Sequence, residues 1–346
     1  MKNILVTGGY GFIGSNFIRG LYKAYPDYCI YNLDFLTYAG NTDNLIDIEE
    51  RELMNNIFNR RYHFIYGDIA DSRLLDIIFS RHQFDMVVNF AAETHVDRSI
   101  INMRDFVHTN IGGVRSLIEA VREYGVRRFV HISTDEVYGD VESGYSTEDG
   151  PIRPSNPYSS SKAAADLIVQ SFIRTHQVPA LIVRGSNNYG AFQYPEKLIP
   201  LAISNMVEGK KIPVHGTGQH VRSWVHVLDF SRAIDFLSHH APDFEVYNVL
   251  GQEKTNLEIL EMIANHVDVD VEQYKKHVAD RPGADKRYAV DGTKLKKLGW
   301  ESSYSLETDL GDVVKWYLSH RSWWEKIKTR KEYVDHYNKQ SKGRWY

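Results

Sequence analysis

Three glycines, Gly8, Gly11 and Gly14, lie between a short apolar run and the start of a helical pattern. The apolar run is residues 3–7, and apolar side chains recur with helical spacing after Gly14. This arrangement is a variant of the dinucleotide-binding fingerprint, in which glycines allow a tight turn and a close approach of the backbone to a pyrophosphate. The free N–H groups at the start of the helix then bind the phosphate charge. The feature predicts a strand–helix–strand unit that binds a dinucleotide.

A second apolar run, residues 29–33, ends in Asp34, twenty residues beyond Gly14. A carboxylate at about this offset hydrogen-bonds the adenosine ribose hydroxyls and repels a 2′-phosphate. Phe35 follows, at a position where an NADP enzyme could carry a basic residue. The sequence therefore predicts NAD rather than NADP as the cofactor.

Apolar runs continue to alternate with helical patterns along the first half of the chain. Because near-continuous apolar strands indicate a parallel sheet covered on both faces, we expect an α/β fold with a doubly wound parallel sheet. The Rossmann domain is predicted over residues 1–188, and residues 226–250 are candidates for a strand and helix that return to it. A smaller, mixed α/β substrate-binding lobe is predicted over 189–346, ending in a surface helix and tail. Ligands in such sheets bind beyond the carboxyl ends of the strands, where Asp68, Glu93 and Thr134 fall.

Composition excludes several classes of function. The 346 residues are 42% hydrophobic and 25% charged with a net charge of −4, as in an ordinary globular protein, and no basic run indicates nucleic acid. No apolar stretch is long enough to span a membrane. The single cysteine, Cys29, excludes an intrachain disulfide and fits a reducing cytoplasm; the first strand begins so early that we expect no signal peptide. The 15 histidines show no metal-binding spacing, so we predict no metal.

Tyr158 and Lys162 lie one helical turn apart, on the same face of a predicted helix that begins near Asn156 and Pro157. An ammonium there stabilises a phenolate and can also hold the nicotinamide ribose. With 22 tyrosines, a Tyr-x-x-x-Lys match arises easily by chance, so its context carries the prediction. The helix start and the upstream Thr134 favour a tyrosine that exchanges a proton with a substrate hydroxyl.

Asp135 and Glu136 follow an apolar strand directly. Such a pair could be two solvated loop carboxylates, but at a strand end near the cofactor it can supply a general acid and a general base together. A plain alcohol dehydrogenase has no use for this pair. An enzyme that oxidises its substrate and then eliminates water from it does.

Taken together, these motifs resemble the extended short-chain dehydrogenase/reductases, and within them the dTDP-glucose 4,6-dehydratases. The resemblance runs nearly end to end, through the segments 8–14, 34–41, 67–69, 90–97, 133–139, 158–162, 186–190, 195–200 and 280–283. The triplet Thr134–Asp135–Glu136 discriminates, because the related epimerases and decarboxylases lack the Asp-Glu pair.

The resemblance implies the conversion of dTDP-glucose to dTDP-4-keto-6-deoxyglucose and water, for deoxysugar nucleotides such as dTDP-rhamnose. Tyr158, helped by Lys162 and Thr134, would take the proton of the 4-hydroxyl while NAD accepts the hydride from C4. Glu136 would then remove the C5 proton, and Asp135 would protonate the departing 6-hydroxyl. Hydride return to C6 would regenerate NAD.

The resemblance also implies binding residues and an assembly. NAD would be held by Gly8, Gly11, Phe12, Ile13, Gly14, Asp34, Thr37, Asp68, Ile69, Phe90, Ala91, Ala92, Thr109, Tyr158, Lys162 and Asn188. The nucleotide-sugar would be held by Glu93, Thr94, Thr134, Asn187, Lys197, Leu198, Pro213, His215, Arg222, Asn256 and Arg281. The two arginines suit a diphosphate, since guanidinium binds its oxygens bidentately. A homodimer joined through helices that include the Tyr-Lys helix is expected.

The chain departs from the family pattern outside the catalytic residues. The departures are Phe35, Ala191, Ser223, His226, Leu228, Phe230 and Ala284. Those around Arg222 and Ala284 leave UDP-glucose open as an alternative substrate. Two other functions also remain as alternatives: an NAD-dependent nucleotide-sugar 4-epimerase or decarboxylase, and a non-enzymatic NAD-binding protein.

Overall fold

The computed structural model describes residues 2–55 and 57–343. Its strands, in chain order, are β1 (Lys2–Thr7), β2 (Tyr28–Asp34), β3 (Tyr62–Tyr66), β4 (Met86–Asn89), β5 (Phe129–Thr134), β6 (Ala180–Gly185), β7 (Asn187–Tyr189), β8 (Ile212–His215), β9 (Val221–His226), β10 (Glu245–Val249), β11 (Gln252–Thr255) and β12 (Lys275–Val278).

The helices of the first half are α1 (Phe12–Ala24), α2 (Ile46–Leu53), α3 (Ser72–Arg81), α4 (Val96–Ile101), α5 (Arg104–Phe106), α6 (Val114–Glu123) and α7 (Pro157–His176). A π-helical segment, Val107–Gly113, joins α5 to α6. Those of the second half are α8 (Leu198–Val207), α9 (Val227–His240), α10 (Asn256–Val267), α11 (Thr293–Lys297), α12 (Leu306–Ser319), α13 (Arg321–Lys328) and α14 (Lys331–Gln340).

The largest sheet has the strand order β10-β6-β5-β4-β1-β2-β3, and every pairing in it is parallel. Its central strands β4, β5 and β6 are buried along their whole length. The sequence of these strands is apolar almost without interruption because both of their faces are covered. The predicted doubly wound α/β fold is confirmed.

Helices cover both faces of this sheet. On one face, α1 and α9 pack through Phe17, Leu21, Phe230 and Ile234. On the other, α3, α6 and α7 pack through side chains such as Leu117. The chain returns to the sheet after a long excursion, since β10 pairs with β6.

Other elements form a second cluster beside the sheet. The three-stranded sheet β11-β9-β7 and the pair β12-β8 pack with α8, α10 and α12–α14 around a separate apolar core. Within the described part of the chain, no helix is both long and apolar enough to cross a membrane.

The predicted surface helix and tail at the C-terminus is a pair of helices, α13 and α14, whose outer faces are exposed but whose inner faces are packed. Helices α13 and α14 bury Trp324, Ile327 and Tyr333 in the core of the second cluster. Aromatic side chains spaced along these helices cover the apolar surface of α8 and α12, which would otherwise face water. Residues 344–346 of the predicted lobe and residues 1 and 56 of the predicted Rossmann domain lie outside the described residues.

Because the strands of the main sheet are parallel, their carboxyl ends meet at one edge of the sheet. The loops that follow β1, β2, β4 and β5 all leave from this edge, and they begin at Gly8, Phe35, Phe90 and Asp135. The start of α7 is fixed nearby by a capping box between Asn156 and Ser159. This geometry brings residues far apart in sequence into one crevice.

Candidate active site

The glycine loop is shaped to admit a ligand close to its backbone. Gly8 has φ +69°, and a Cβ there would lie 2.7 Å from the Ala91 Cα; a Cβ on Gly14 would lie 2.4 Å from the Gly8 carbonyl oxygen. Only glycine fits both positions without moving backbone. Gly11 precedes helix α1 and offers no side-chain cap, so the first N–H groups of the helix, which line the crevice, are free to bind a pyrophosphate. The residues present therefore fit a dinucleotide.

Asp34 lies at the end of β2 and is only 7% exposed. Its carboxylate accepts hydrogen bonds from the N–H groups of Tyr10 (2.9 Å) and Leu36 (2.8 Å). Burial raises the pKa of Asp34, and these two backbone bonds oppose the rise. Since an ionised carboxylate has about four acceptor sites, it retains capacity for ribose hydroxyls.

Two adjoining cavities contain every residue predicted for the site. The first, of about 280 Å³, is lined by all the predicted cofactor residues: Gly8, Gly11, Phe12, Ile13, Gly14, Asp34, Thr37, Asp68, Ile69, Phe90, Ala91, Ala92, Thr109, Tyr158, Lys162 and Asn188, and also by Glu93, Thr134 and Asp135. The second, of about 150 Å³, is lined by Leu198, Pro213, His215, Arg222, Asn256 and Arg281. Thr94, Glu136, Asn187 and Lys197 line both, so the two cavities share a wall.

The Tyr158–Lys162 pair lies inside the first cavity, on α7. Lys162 Nζ donates to the carbonyl oxygen of Ile132 at 2.6 Å, and burial lowers the pKa of this lysine to about 8. Burial also raises the pKa of Tyr158, followed by the charge of Glu136, whereas a hydrogen bond with Thr134 opposes the rise. The phenol is therefore protonated at rest, and a nearby positive charge favours its ionisation.

Asp135 begins the 3₁₀ turn Asp135–Tyr138 that directly follows β5, and Thr134 caps this turn by accepting from the Glu136 N–H at 3.3 Å. Asp135 is 2% exposed, and burial, followed by the charge of Glu136, raises its pKa to about 7. Burial also raises the pKa of Glu136, while Arg222 and Lys197 lower it. Asp135 is therefore a carboxyl that holds its proton near neutrality, and two cations favour the charged form of Glu136 against the effect of burial, as an acid and a base require.

Cationic side chains converge on the second cavity. Lys197 Nζ donates to the Thr94 carbonyl oxygen at 3.0 Å. Arg222 donates to the Asp285 carbonyl oxygen at 2.9 Å, and Arg281 pairs with buried Asp97 at 2.5 Å between Nε and Oδ1. Three cations around one cavity suit an anionic ligand such as a diphosphate.

Two residues of this wall were missed by the sequence analysis. Tyr288 places its hydroxyl 2.8 Å from Asp285 Oδ2 and 3.3 Å from Glu136 Oε2, with the Arg222 guanidinium 4.3 Å above its ring. Tyr288 and Asp285 lie shortly after the Arg-Pro-Gly segment at 281–283. No local pattern in the sequence indicates that Tyr288 contacts Glu136, which lies about 150 positions earlier.

The residues near Arg222 that depart from the family pattern make structural contacts. His226 caps α9 by accepting from the Leu228 N–H at 3.2 Å, and Ser223 accepts from the Gly251 N–H at 2.9 Å. Phe230 packs against Gly185 of β6, where a Cβ would lie 2.4 Å from its ring. Phe35 is 47% exposed and contacts the ring of Tyr66.

The structure brings three potential metal ligands together that spacing along the chain does not reveal. Ligand atoms of His95, Asp97 and His336 lie within 4.8 Å of one another, and all three residues are buried. Arg281 already neutralises Asp97, and Lys197 and Arg281 both act on the charge of His95, so positive charge surrounds the cluster. The absence of a metal stays a prediction.

Comparison with known proteins agrees with this geometry. The model of the family described as GDP-mannose 4,6 dehydratase matches residues 5–312. A dTDP-glucose 4,6-dehydratase of Streptomyces niveus is 43% identical over 335 residues, which is 95% of this chain and 96% of the relative. The chain belongs to the dTDP-glucose 4,6-dehydratase family. The resemblance drawn from the Thr134–Glu136 triplet is thereby confirmed, and the chain is an enzyme of the dehydratase type.

Two further matches also cover most of the chain. The low-salt glycan biosynthesis protein Agl12 of Haloferax volcanii is 45% identical over 317 residues, 91% of this chain and 98% of that protein. The crystal structure of DesIV, the dTDP-glucose 4,6-dehydratase of Streptomyces venezuelae with NAD and TYD bound, superposes with a TM-score of 0.89 at 41% identity, covering 94% of this chain and all of DesIV (100%). The dehydratase fold therefore spans both cavities.

Proposed function

We propose that this protein converts dTDP-glucose to dTDP-4-keto-6-deoxyglucose and water with bound NAD. The observation that carries the proposal is the meeting of two pairs, Tyr158–Lys162 and Asp135–Glu136, in one cavity. The related DesIV structure holds NAD, and the glycine loop and Asp34 of this chain fit the same dinucleotide.

The surroundings of each catalytic side chain suit one step of the reaction. NAD, when bound in the first cavity, would accept the hydride and later return it. Tyr158 accepts the proton of the 4-hydroxyl, and Lys162 stabilises the resulting phenolate. Thr134 keeps the phenol oriented through its hydrogen bond.

The elimination of water falls to the two carboxyl groups. Once C4 is a ketone, the C5 proton is acidic and Glu136, whose negative charge Arg222 and Lys197 stabilise against the effect of burial, removes it. Asp135, whose pKa is about 7, carries the proton that the departing 6-hydroxyl needs. A 4-epimerase or a decarboxylase has no step for this second acid.

We propose that the predicted residues hold the ligands as assigned from the sequence. The dinucleotide occupies the first cavity, and the nucleotide diphosphate of the substrate lies against Lys197, Arg222 and Arg281 in the second. The sugar then reaches the shared wall, where Glu136 lies.

The test compares substrates. The purified protein is incubated separately with dTDP-glucose, UDP-glucose and GDP-mannose, and mass spectrometry follows the loss of one water molecule. We expect loss of water from dTDP-glucose at the highest kcat/KM. Faster dehydration of UDP-glucose or GDP-mannose would reassign the substrate, and epimerisation without water loss would contradict the proposed reaction.

We also propose a homodimer through α7 and its neighbours, located in the cytoplasm. Four apolar side chains on or before these helices are 39–54% exposed: Ile101, Met103, Val107 and Leu167. Their exposure supports burial against a second copy of the chain. Light scattering of the purified protein gives its mass, and a Leu167→Asp variant should shift that mass toward the monomer.

The one cysteine, Cys29, is buried and unpaired, in keeping with a reducing compartment.

A further inference from the structure

The hydroxyl of Tyr288 lies between two carboxyl groups at the wall shared by the cavities. It is 2.8 Å from Asp285 Oδ2 and 3.3 Å from Glu136 Oε2. Tyr288 and Asp285 are each 4% exposed, so bulk water does not separate the three groups. The contact joins the base proposed for C5 to a second carboxylate that the reaction, as described above, does not use.

A phenol has one proton to donate, together with lone pairs that accept. Tyr288 therefore cannot donate to both carboxyl groups at once. The shorter contact places its proton toward Asp285, which leaves the phenol oxygen turned to Glu136 as an acceptor. This arrangement suits a Glu136 that has just taken up a proton and can donate it.

The surroundings hold the chain of three groups in place. Arg222 lies 4.3 Å above the Tyr288 ring and donates to the Asp285 carbonyl oxygen at 2.9 Å. Ser155 donates its hydroxyl proton to Asp285 Oδ2. Burial raises the pKa of Tyr288, so the phenol keeps a proton and exchanges it rather than ionising.

We propose that Tyr288 and Asp285 form a proton relay for Glu136. The inference rests on the proposed function, in which Glu136 removes the C5 proton. As Glu136 gives that proton to the phenol oxygen, the Tyr288 hydroxyl proton moves to Asp285; the reverse shift later returns a proton through Glu136 to C5. The electron pair of the broken C5–H bond stays in the sugar, and nothing is oxidised or reduced in the relay.

Asp285 lines the second cavity, so a proton held there can exchange with water in that cavity. Glu136 itself lines both cavities, so the relay acts when the sugar covers Glu136 and then connects this base to solvent through Asp285. Tyr288 and Asp285 act through Glu136 rather than on the sugar, so they are positioning residues for its proton.

The test is the Tyr288→Phe variant of the NAD-loaded enzyme, assayed with dTDP-glucose in D₂O. We expect kcat to fall by about 10- to 100-fold, below the usual range for a group that contacts substrate itself, with little change in KM. The product should also retain more of the substrate's own hydrogen at C5, measured by mass spectrometry at equal conversion. NAD content and thermal midpoint should match those of the wild type.

Tyr145→Phe is the matched control, because Tyr145 is 60% exposed and lines neither cavity. Asp285→Asn should reproduce the loss of exchange, and the double variant should be no slower than the slower single variant, since both changes break one chain.

Two outcomes would overturn the relay. The first is a Tyr288→Phe variant with wild-type deuterium exchange at C5 and wild-type kcat. The second is a variant in which only KM changes, which would limit Tyr288 to supporting Arg222. Failure of the wild-type protein to dehydrate dTDP-glucose would instead contradict the proposed function itself, and the relay with it. The two failures are therefore distinguishable in the same experiment.

Discussion

Asp135→Asn should separate oxidation from dehydration. Asparagine keeps the size and hydrogen bonding of the side chain but cannot deliver a proton to the leaving 6-hydroxyl. Positioned acids and bases contribute about 10²–10⁴-fold, so water loss should slow by that factor. Oxidation at C4 does not need Asp135, and NADH absorbance should therefore accumulate after dTDP-glucose is added. Stopped-flow absorbance and mass spectrometry measure the two steps separately.

The same substitution should stabilise the protein, by an amount that depends on pH. Asp135 ionises near its ordinary pKa of 3.8 in the unfolded chain, but burial raises its pKa to about 7 in the folded protein. The folded state therefore binds more protons between these values, and stability falls as pH rises through that interval. At about 1.4 kcal/mol for each pH unit, the full cost above pH 7 is about 4 kcal/mol. Asparagine does not ionise, so the variant does not lose this stability.

Thermal or denaturant unfolding of NAD-free wild type and variant at pH 4 and pH 8 measures this difference. We expect the free energies of unfolding of the two proteins to differ little at pH 4. At pH 8 the variant should be more stable by up to about 4 kcal/mol. Asp149→Asn, an exposed carboxylate, is the control and should show no such widening. An Asp135→Asn variant that dehydrates at the wild-type rate, or whose stability advantage does not grow with pH, would show that Asp135 is not a buried acid.

Three further expectations concern other parts of the molecule. Tyr158→Phe should bind NAD as the wild type does but give no NADH absorbance with dTDP-glucose; near-normal turnover would exclude Tyr158 as the proton acceptor. Calorimetric titration should show tighter binding of NAD than of NADP, and Asp34→Ser should narrow the difference; equal wild-type affinities would contradict the role of Asp34. Trp324→Ala should lower the free energy of unfolding by about 3–5 kcal/mol, because Trp324 is 0% exposed, whereas Leu318→Ala at a 39% exposed position should cost far less; similar losses in denaturant unfolding would refute the burial argument.

Local signals predicted the cofactor end of the site well. Gly8, Gly14 and Asp34 lie within one strand–helix–strand unit, so their spacing alone reports the turn and the strand end. Tyr158 and Lys162 lie on one helix, and the helical repeat fixes their relation. These features need no knowledge of how distant segments pack.

Long-range contacts were beyond the sequence. Tyr288 meets Glu136 across 152 positions, and Gln340 reaches Asp97 across 243. No periodicity reports such pairings, because they depend on how the second cluster packs against the main sheet. The burial of Trp324 was missed for a related reason: an aromatic, lysine-rich terminus indicates a surface segment unless the apolar surface it covers is known.

The last described helix, α14, has a consequence for the order in which parts of the protein fold. Gln340, three residues before the end of the described chain, donates to Asp97 at 3.3 Å and lines the second cavity. The main sheet is already complete once β10 has been made. Since domains fold as they leave the ribosome, a nascent chain can form the first cavity while the wall of the second cavity is still unfinished. The part of the second cavity wall that contains Gln340 can therefore form only after α14 has left the ribosome.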